Sequence, residues 1–167
     1  MNCGLNLPYP PIEVERKNTC SAGILLNDYA GKHGEMTAIT QYLYQHFITG
    51  VQFKELSKDL ECIAASEMKH MEMLGELIVL LGGDPLLRTL NSGGAVYWNG
   101  NNIKPTKNIR CFLNENIAGE ETAIQNYRQH IVQIKDRYVR AVLERIILDE
   151  EHHISIFKQW LEKLYAK

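Results

Sequence analysis

GEMTAITQY, residues 34–42, returns as GEETAIQNY at residues 119–127, 119 − 34 = 85 positions later, with six of nine letters the same and Gly-Glu leading both. A chain of 167 residues that repeats itself across half its length reads as two similar units, neither able to bury its apolar face alone. The periodicity around both copies is helical. Residues 19–48 set Leu25, Asp28, Gly31 or Lys32, Glu35, Ile39, Tyr42 and His46 on one stripe, and residues 53–81 do the same with Leu56, Leu60, Ile63, Glu67, His70, Leu74, Ile78 and Leu81. After the repeat, residues 107–134 align Phe112, Asn116, Glu120, Ile124, Tyr127 and Ile131, and residues 136–165 align Val139, Leu143, Ile146, Glu150, His153, Phe157 and Leu161.

The breaks set the connectivity. Thr49-Gly50 and Lys135-Asp136 allow tight reversals within each unit, whereas Gly82-Gly83-Asp84-Pro85 stops the second helix and opens a Gly- and Asn-rich segment reaching about residue 106. So long a connection in a compact domain requires a reason, and a crossover along a bundle is one. Pro8, Pro10 and Pro11 make residues 1–18 an extended arm. The expectation is an all-α antiparallel four-helix bundle over residues 19–167, with a long crossover between its second and third helices.

Each stripe carries a glutamate where a core residue belongs: Glu35, Glu67, Glu120 and Glu150. Burying one unpaired carboxylate costs several kcal/mol, so four of them require a shared cation. Glu67 and Glu150 are each followed three residues later by a histidine, His70 and His153, which places both side chains on one helix face a turn apart. The two halves also keep similar Glu-to-Glu separations, 67 − 35 = 32 and 150 − 120 = 30 residues. The duplication therefore predicts a pseudo-symmetric site for two metal ions, half from each helix pair. Four carboxylates and two imidazoles suit iron or manganese better than structural zinc. Two iron ions are expected, with manganese the alternative.

This order of ligands resembles the ferritin-like carboxylate dimetal bundles, over about residues 20–165. The likeness is closest to bacterioferritin-like and rubrerythrin-like proteins, and LDEEHHISIF, residues 148–157, looks like the last-helix segment of bacterioferritins. The resemblance implies terminal ligands at Glu35 and Glu120, bridging carboxylates at Glu67 and Glu150, and one metal each on His70 and His153. It departs from rubrerythrins in having Ala at position 123, where that family has a second glutamate, and in showing no rubredoxin-like segment. Manganese catalases are similar in ligand types but commonly space the last Glu and His further apart. The resemblance implies an oxidoreductase that reduces peroxide or dioxygen with electrons from an unknown donor. Ferroxidase activity feeding an iron store is the alternative, and dimanganese catalase a third.

Several neighbours compete with these residues. Glu121 is the rival of Glu120, but its stripe of Asn114, Ala118, Gln125 and Arg128 is the wetter one. Asp149, Glu151 and His152 share their side of the last helix with Arg145 and Gln159, so they are expected in solvent. Tyr42 and Tyr127, two turns after Glu35 and Glu120, read as core tyrosines or as redox partners. His33, His46 and His130 are expected to bind no metal, and Met68, Met71 and Met73 are expected to be ordinary helix residues. Gly34 and Gly119 imply close helix approach beside the ligands. Cys3, Cys20, Cys62 and Cys111 form no C-x-x-C pair and read as reduced thiols. With Lys plus Arg at 18 against 20 for Asp plus Glu, no nucleic-acid or membrane partner is expected. Neither a signal peptide nor an 18-residue apolar run is present, which predicts a cytoplasmic protein. A ferritin cage would need a short fifth helix, and the last stripe ends a few residues before Lys167. A homodimer or small homo-oligomer is therefore expected.

Overall fold

Asn18, Asn108 and Asp136 start three of the helices, each accepting a first-turn backbone N–H, from Ser21, Cys111 and Tyr138 at 3.1, 3.1 and 3.0 Å. The computed structural model describes residues 3–166; Met1, Asn2 and Lys167, included in the expected arm and bundle, lie outside the described residues. Its helices are α1 (Thr19–Ala30), α2 (Glu35–Thr49), α3 (Lys54–Leu80), α4 (Ile109–Gln133) and α5 (Arg137–Tyr165). α2 packs mainly on α3, α4 packs mainly on α5, and α1 continues along α3. α1 and α2 share the first position of the expected four-helix bundle. No described helix is long and apolar enough to cross a membrane.

The continuous helix expected over residues 19–48 is two helices, broken at 31–34. Gly34 explains the corner: a Cβ there would stand 2.3 Å from the carbonyl oxygen of Asp28 and 2.7 Å from that of Asn27. Thr37 Oγ1 closes the corner by donating to the Gly31 carbonyl at 3.0 Å. The close approach inferred for both glycines holds at Gly34 alone, because a Cβ on Gly119 would meet nothing within 4 Å.

The crossover contains a hairpin that the helical pattern did not foresee. β1 (Arg88–Asn91) pairs antiparallel with β2 (Gly94–Tyr97), and Gly94 takes φ +110°, which L side chains resist. Trp98 Nε1 then donates to Thr37 Oγ1 at 2.9 Å, and Lys104 N donates to Gln41 Oε1 at 2.7 Å. The crossover is thus stitched along α2.

The arm is extended, as its prolines dictate, and it is docked. Cys3 and Cys62 form a disulfide with a Cα–Cα distance of 5.7 Å, correcting the expectation of four reduced thiols. Their separation of 59 residues is closed only once the arm lies on α3, so no local spacing announces the pair. Cys20 and Cys111 are free and exposed.

Two apolar clusters fill the bundle. One gathers Leu25, Met73, Leu77, Ile124 and Leu143; the other gathers Tyr42, Leu60, Ile63, Phe112 and Phe157. Along α3, α4 and α5 the expected metal ligands fall between residues of the first cluster and residues of the second, so the polar layer is sealed from both ends.

The two glycines give a stability test. Gly119→Ala is expected to stabilise the fold by about 1 kcal/mol, since helix propensity improves and nothing is displaced. Gly34→Ala is expected to cost about 1–3 kcal/mol, because two backbone carbonyls must shift. Urea unfolding of both variants checks the pair, and equal effects at the two positions would contradict the corner.

Candidate metal centre

Glu67 and His70 lie a turn apart on α3, and Glu150 and His153 a turn apart on α5, because Glu-x-x-His places both side chains on the inward stripe. Glu35 begins α2, while Glu120 lies midway along α4. All six are buried, none more than 3% exposed. The fold brings them together as two groups, Glu35-Glu67-His70-Glu150 and Glu67-Glu120-Glu150-His153. In each group one ligand atom per residue lies within 4.8 Å of every other, and the groups share Glu67 and Glu150.

The geometry is close to two-fold. His70 Nδ1 is 2.9 Å from Glu67 Oε2 and 3.2 Å from Glu150 Oε1; His153 Nδ1 is 2.9 Å from Glu150 Oε2 and 3.0 Å from Glu67 Oε1. Both Nδ1 atoms therefore face the carboxylates. Glu35 and Glu120 stand further out, 3.8 and 3.7 Å from the nearer ring nitrogen.

Two tyrosines complete the symmetry by crossing it. Tyr42, from the first repeat, donates to Glu120 Oε1 at 2.5 Å, and Tyr127, from the second, donates to Glu35 Oε1. They are buried, but they are more than core filler, since each fixes one carboxylate oxygen of the opposite half. The sequence signal was available: tyrosine is one of the six repeated letters.

Asp149 is a correction. It was expected in solvent and is fully buried. Its carboxylate accepts from Leu5 N at 2.7 Å and Tyr9 OH at 2.6 Å, lies 3.1 Å from His70 Nε2, and pairs with Arg145 Nη1 at 2.8 Å. Arg145, buried as well, donates from Nη2 to the carbonyls of Leu5 and Leu7 at 3.0 and 3.1 Å. Only the docked arm makes that face of α5 an interior. His153 Nε2, the counterpart on the other side, has no hydrogen-bond partner among the described residues.

The remaining expectations divide. Glu121 is exposed, and Glu151 is exposed and paired with Arg128 at 3.0 Å. His152 is half-buried. His46 lies against Ser57, and His130 Nδ1 lies 2.7 Å from Asp28 Oδ2. None of these joins the cluster.

So many ionisable groups out of water hold one another far from their ordinary behaviour. Burial, aided by the charge of Glu67, raises Glu35 well above the usual carboxylate range; burial and the charges of Glu150 and Glu67 push Glu120 up to about 8. Burial disfavours charge on both histidines, but the carboxylates around them together outweigh it, Glu150 with Asp149 and Glu35 at His70 and Glu67 with Glu120 and Glu150 at His153, so both are raised. Burial acts against charge on Glu67 too, yet His153 and His70 hold it below the usual range. Burial and then the neighbouring carboxylates raise Tyr42 and Tyr127, keeping them protonated as donors.

The donor set suits a pair of cations. Glu67 Oε1 is buried and lacks a hydrogen-bond donor, although His153 Nδ1 is close. Two divalent ions would match the charge of four carboxylates and leave both imidazoles neutral.

A buried layer of four glutamates and two histidines inside a helical bundle is the architecture of ferritin-like proteins. Residues 27–166 match the Ferritin family, described as the ferritin-like domain, and the chain belongs to that family. Over 175 aligned residues it is 31% identical to a probable manganese catalase of Clostridium acetobutylicum, covering 92% of this chain and 75% of that protein. It is 30% identical to a bacterioferritin of Desulfovibrio desulfuricans over 129 residues, covering 74% of this chain and 66% of that one. Among solved structures, a manganese catalase from Anabaena superposes with a TM-score of 0.84 at 26% identity, covering 96% of this chain and 79% of that chain.

The protonation state of the metal-free site fixes a sign. Glu120, at about 8 in the fold against an ordinary 4.5, keeps a proton that the unfolded chain gives up, so stability is lost as pH rises between those values. The raised histidines act in the same direction: their contribution is complete below 6.5 and fades as pH climbs above it. Calorimetry of chelator-stripped protein should show the melting temperature falling steadily from about pH 5 to about pH 8. A flat profile would contradict this electrostatic reading.

Proposed function

We propose that the chain holds two metal ions between α3 and α5 and disproportionates hydrogen peroxide, with manganese as the metal. The observation that carries this reading is the pair of four-residue groups sharing Glu67 and Glu150. In it, Glu67 and Glu150 would be shared by the two ions, with Glu35 and His70 holding one and Glu120 and His153 the other. When bound, such a pair supplies two electrons, one per ion, and takes two back, so 2 H2O2 → O2 + 2 H2O balances without an outside reductant. Carboxylate and imidazole donors fit manganese or iron equally. The manganese-catalase relatives, aligned over 92% and 96% of this chain, weigh toward manganese and away from the iron expected from the sequence.

The protein's own groups orient the ligands. Tyr42 and Tyr127 each donate to one oxygen of Glu120 and Glu35, which fixes the orientation of both carboxylates. Asp149 engages His70 Nε2, which leaves Nδ1 free to bind metal and makes the ring a stronger donor. His153 Nε2 has no such partner among the described residues, so the two imidazoles would differ as donors. A homodimer or small homo-oligomer is part of the proposal. Exposed Met68, Val79 and Leu80 on α3 offer it an apolar surface, and light scattering reads it.

A second reading, diiron ferroxidase or peroxidase chemistry on dioxygen or peroxide with a separate electron donor, is favoured by the bacterioferritin relative and by the three-residue Glu150–His153 spacing. Metal analysis of protein purified without added metal, followed by an oxygen electrode, separates the two. Manganese with rapid oxygen release from peroxide alone is expected. Iron with peroxide loss only under reductant would overturn the catalase reading, and hundreds of ferric ions retained per particle would favour storage.

Two sets of variants test the ligand assignment. Glu67→Ala and Glu150→Ala should each lose both ions; variants that still bind two per chain would sink the bridging roles. Asp149→Asn should weaken metal binding by roughly 10–100-fold, chiefly for the ion on His70. Titration against a competing chelator measures this, and unchanged affinity would remove Asp149 from the centre.

A further inference from the structure

A cavity of about 180 Å³ runs between α2 and α4 and ends on Glu35, Glu120 and Glu150. Its walls carry both copies of the repeated Gly-Glu-x-Thr-Ala: Gly34, Thr37 and Ala38 on one side, Gly119, Thr122 and Ala123 on the other, beside the two glutamates. The duplication therefore builds a passage as well as half of each ligand set.

The two glycines are there for different reasons. Gly34 has no room for a Cβ, since the backbone of Asn27 and Asp28 fills the space. Gly119 has room on every side, lies in the interior of α4 and does not take a positive φ, so neither packing nor backbone conformation calls for glycine. The space that its absent side chain leaves is the cavity. Asn102 and Lys104 of the crossover line it too, and Lys104 is hydrogen-bonded to Gln41 of α2 through its backbone. Lys32 and Lys104 bring positive charge to its wall, Lys104 Nζ lying 3.9 Å from Glu115 Oε1, while burial and the two lysines lower His33 and keep it neutral; the lining suits a small polar or anionic molecule.

We propose that this cavity is the route by which hydrogen peroxide reaches the Glu35–Glu120–Glu150 edge of the centre, and that Gly119 sets its bore. The inference rests on the peroxide reading above, but its test does not need turnover. Gly119→Ala and Gly119→Leu add side chains of increasing size to the wall, and Glu121→Leu adds the larger one at an exposed position of the same helix.

Metal content is measured first and is expected to equal the wild type in all three variants. Azide, a small linear anion that gives an absorption band on the oxidised metal pair, is then mixed with each protein in a stopped-flow instrument. The binding rate should fall about tenfold or more in Gly119→Leu, by less in Gly119→Ala, and not at all in Glu121→Leu. Peroxide consumption should follow the same order. A Gly119→Leu protein that keeps its metals and binds azide at the wild-type rate overturns the proposal. Should that variant lose metal or fold poorly, Gly119→Ala decides: slowed azide binding supports the route, and an unchanged rate refutes it. Failure of the catalase reading would instead appear as absent oxygen release in the wild type, with the azide comparison still deciding the route.

Discussion

Four buried carboxylates, gathered three at a time in two groups that share Glu67 and Glu150, repel strongly, and the rest of the fold contains that repulsion. Protons do part of the work in the metal-free state: Glu35 and Glu120 are raised by burial and by their neighbours, while His70 and His153 are raised by the glutamates they face. Apolar clusters close the layer above and below along the bundle, which strengthens the interaction between the layer and any cation it receives. The protein thus gives up stability where it requires charge. The core on one side is dense with leucine, isoleucine and valine, and on the other with leucine, Ile63, Phe112 and Phe157.

Around this layer lies a less symmetric shell. On the His70 side, Asp149 joins the imidazole to Tyr9, Arg145 and the backbone of the arm, and the disulfide at Cys3 fastens that arm to α3. On the His153 side the outer ring nitrogen has no hydrogen-bond partner among the described residues. A pseudo-two-fold inner set is thus embedded in an environment that distinguishes its halves.

The inner set was legible because helical periodicity is a local property. Glu35, Glu67, His70, Glu120, Glu150 and His153 could be placed on inward stripes by counting in steps of three and four, and all six meet. The helix ends were also near their expected places, since Asn108, Asp136 and Gly82 act on their own neighbours. What escaped depends on contacts distant in sequence. Asp149 shares its face of α5 with Arg145, so periodicity alone puts both in solvent; burial comes from an arm some 140 residues away, a separation visible in the Tyr9–Asp149 bond. The Cys3–Cys62 pair depends on the same docking. The corner at Gly34 looks in sequence like any tolerated helical glycine, and the hairpin in the crossover is too short, with β2 wholly exposed, to leave an alternating pattern.

The crossed tyrosines bear on how the two copies of GExTAIxxY can change. Each tyrosine is written in one copy and serves the glutamate written in the other. An alteration at position 42 is felt at Glu120, and one at position 127 at Glu35, so neither copy can be revised alone without leaving a carboxylate in the other unheld. The repeat is therefore a reciprocal constraint: each copy holds the carboxylate of the other, and the centre keeps its shape only while both tyrosines stay in place.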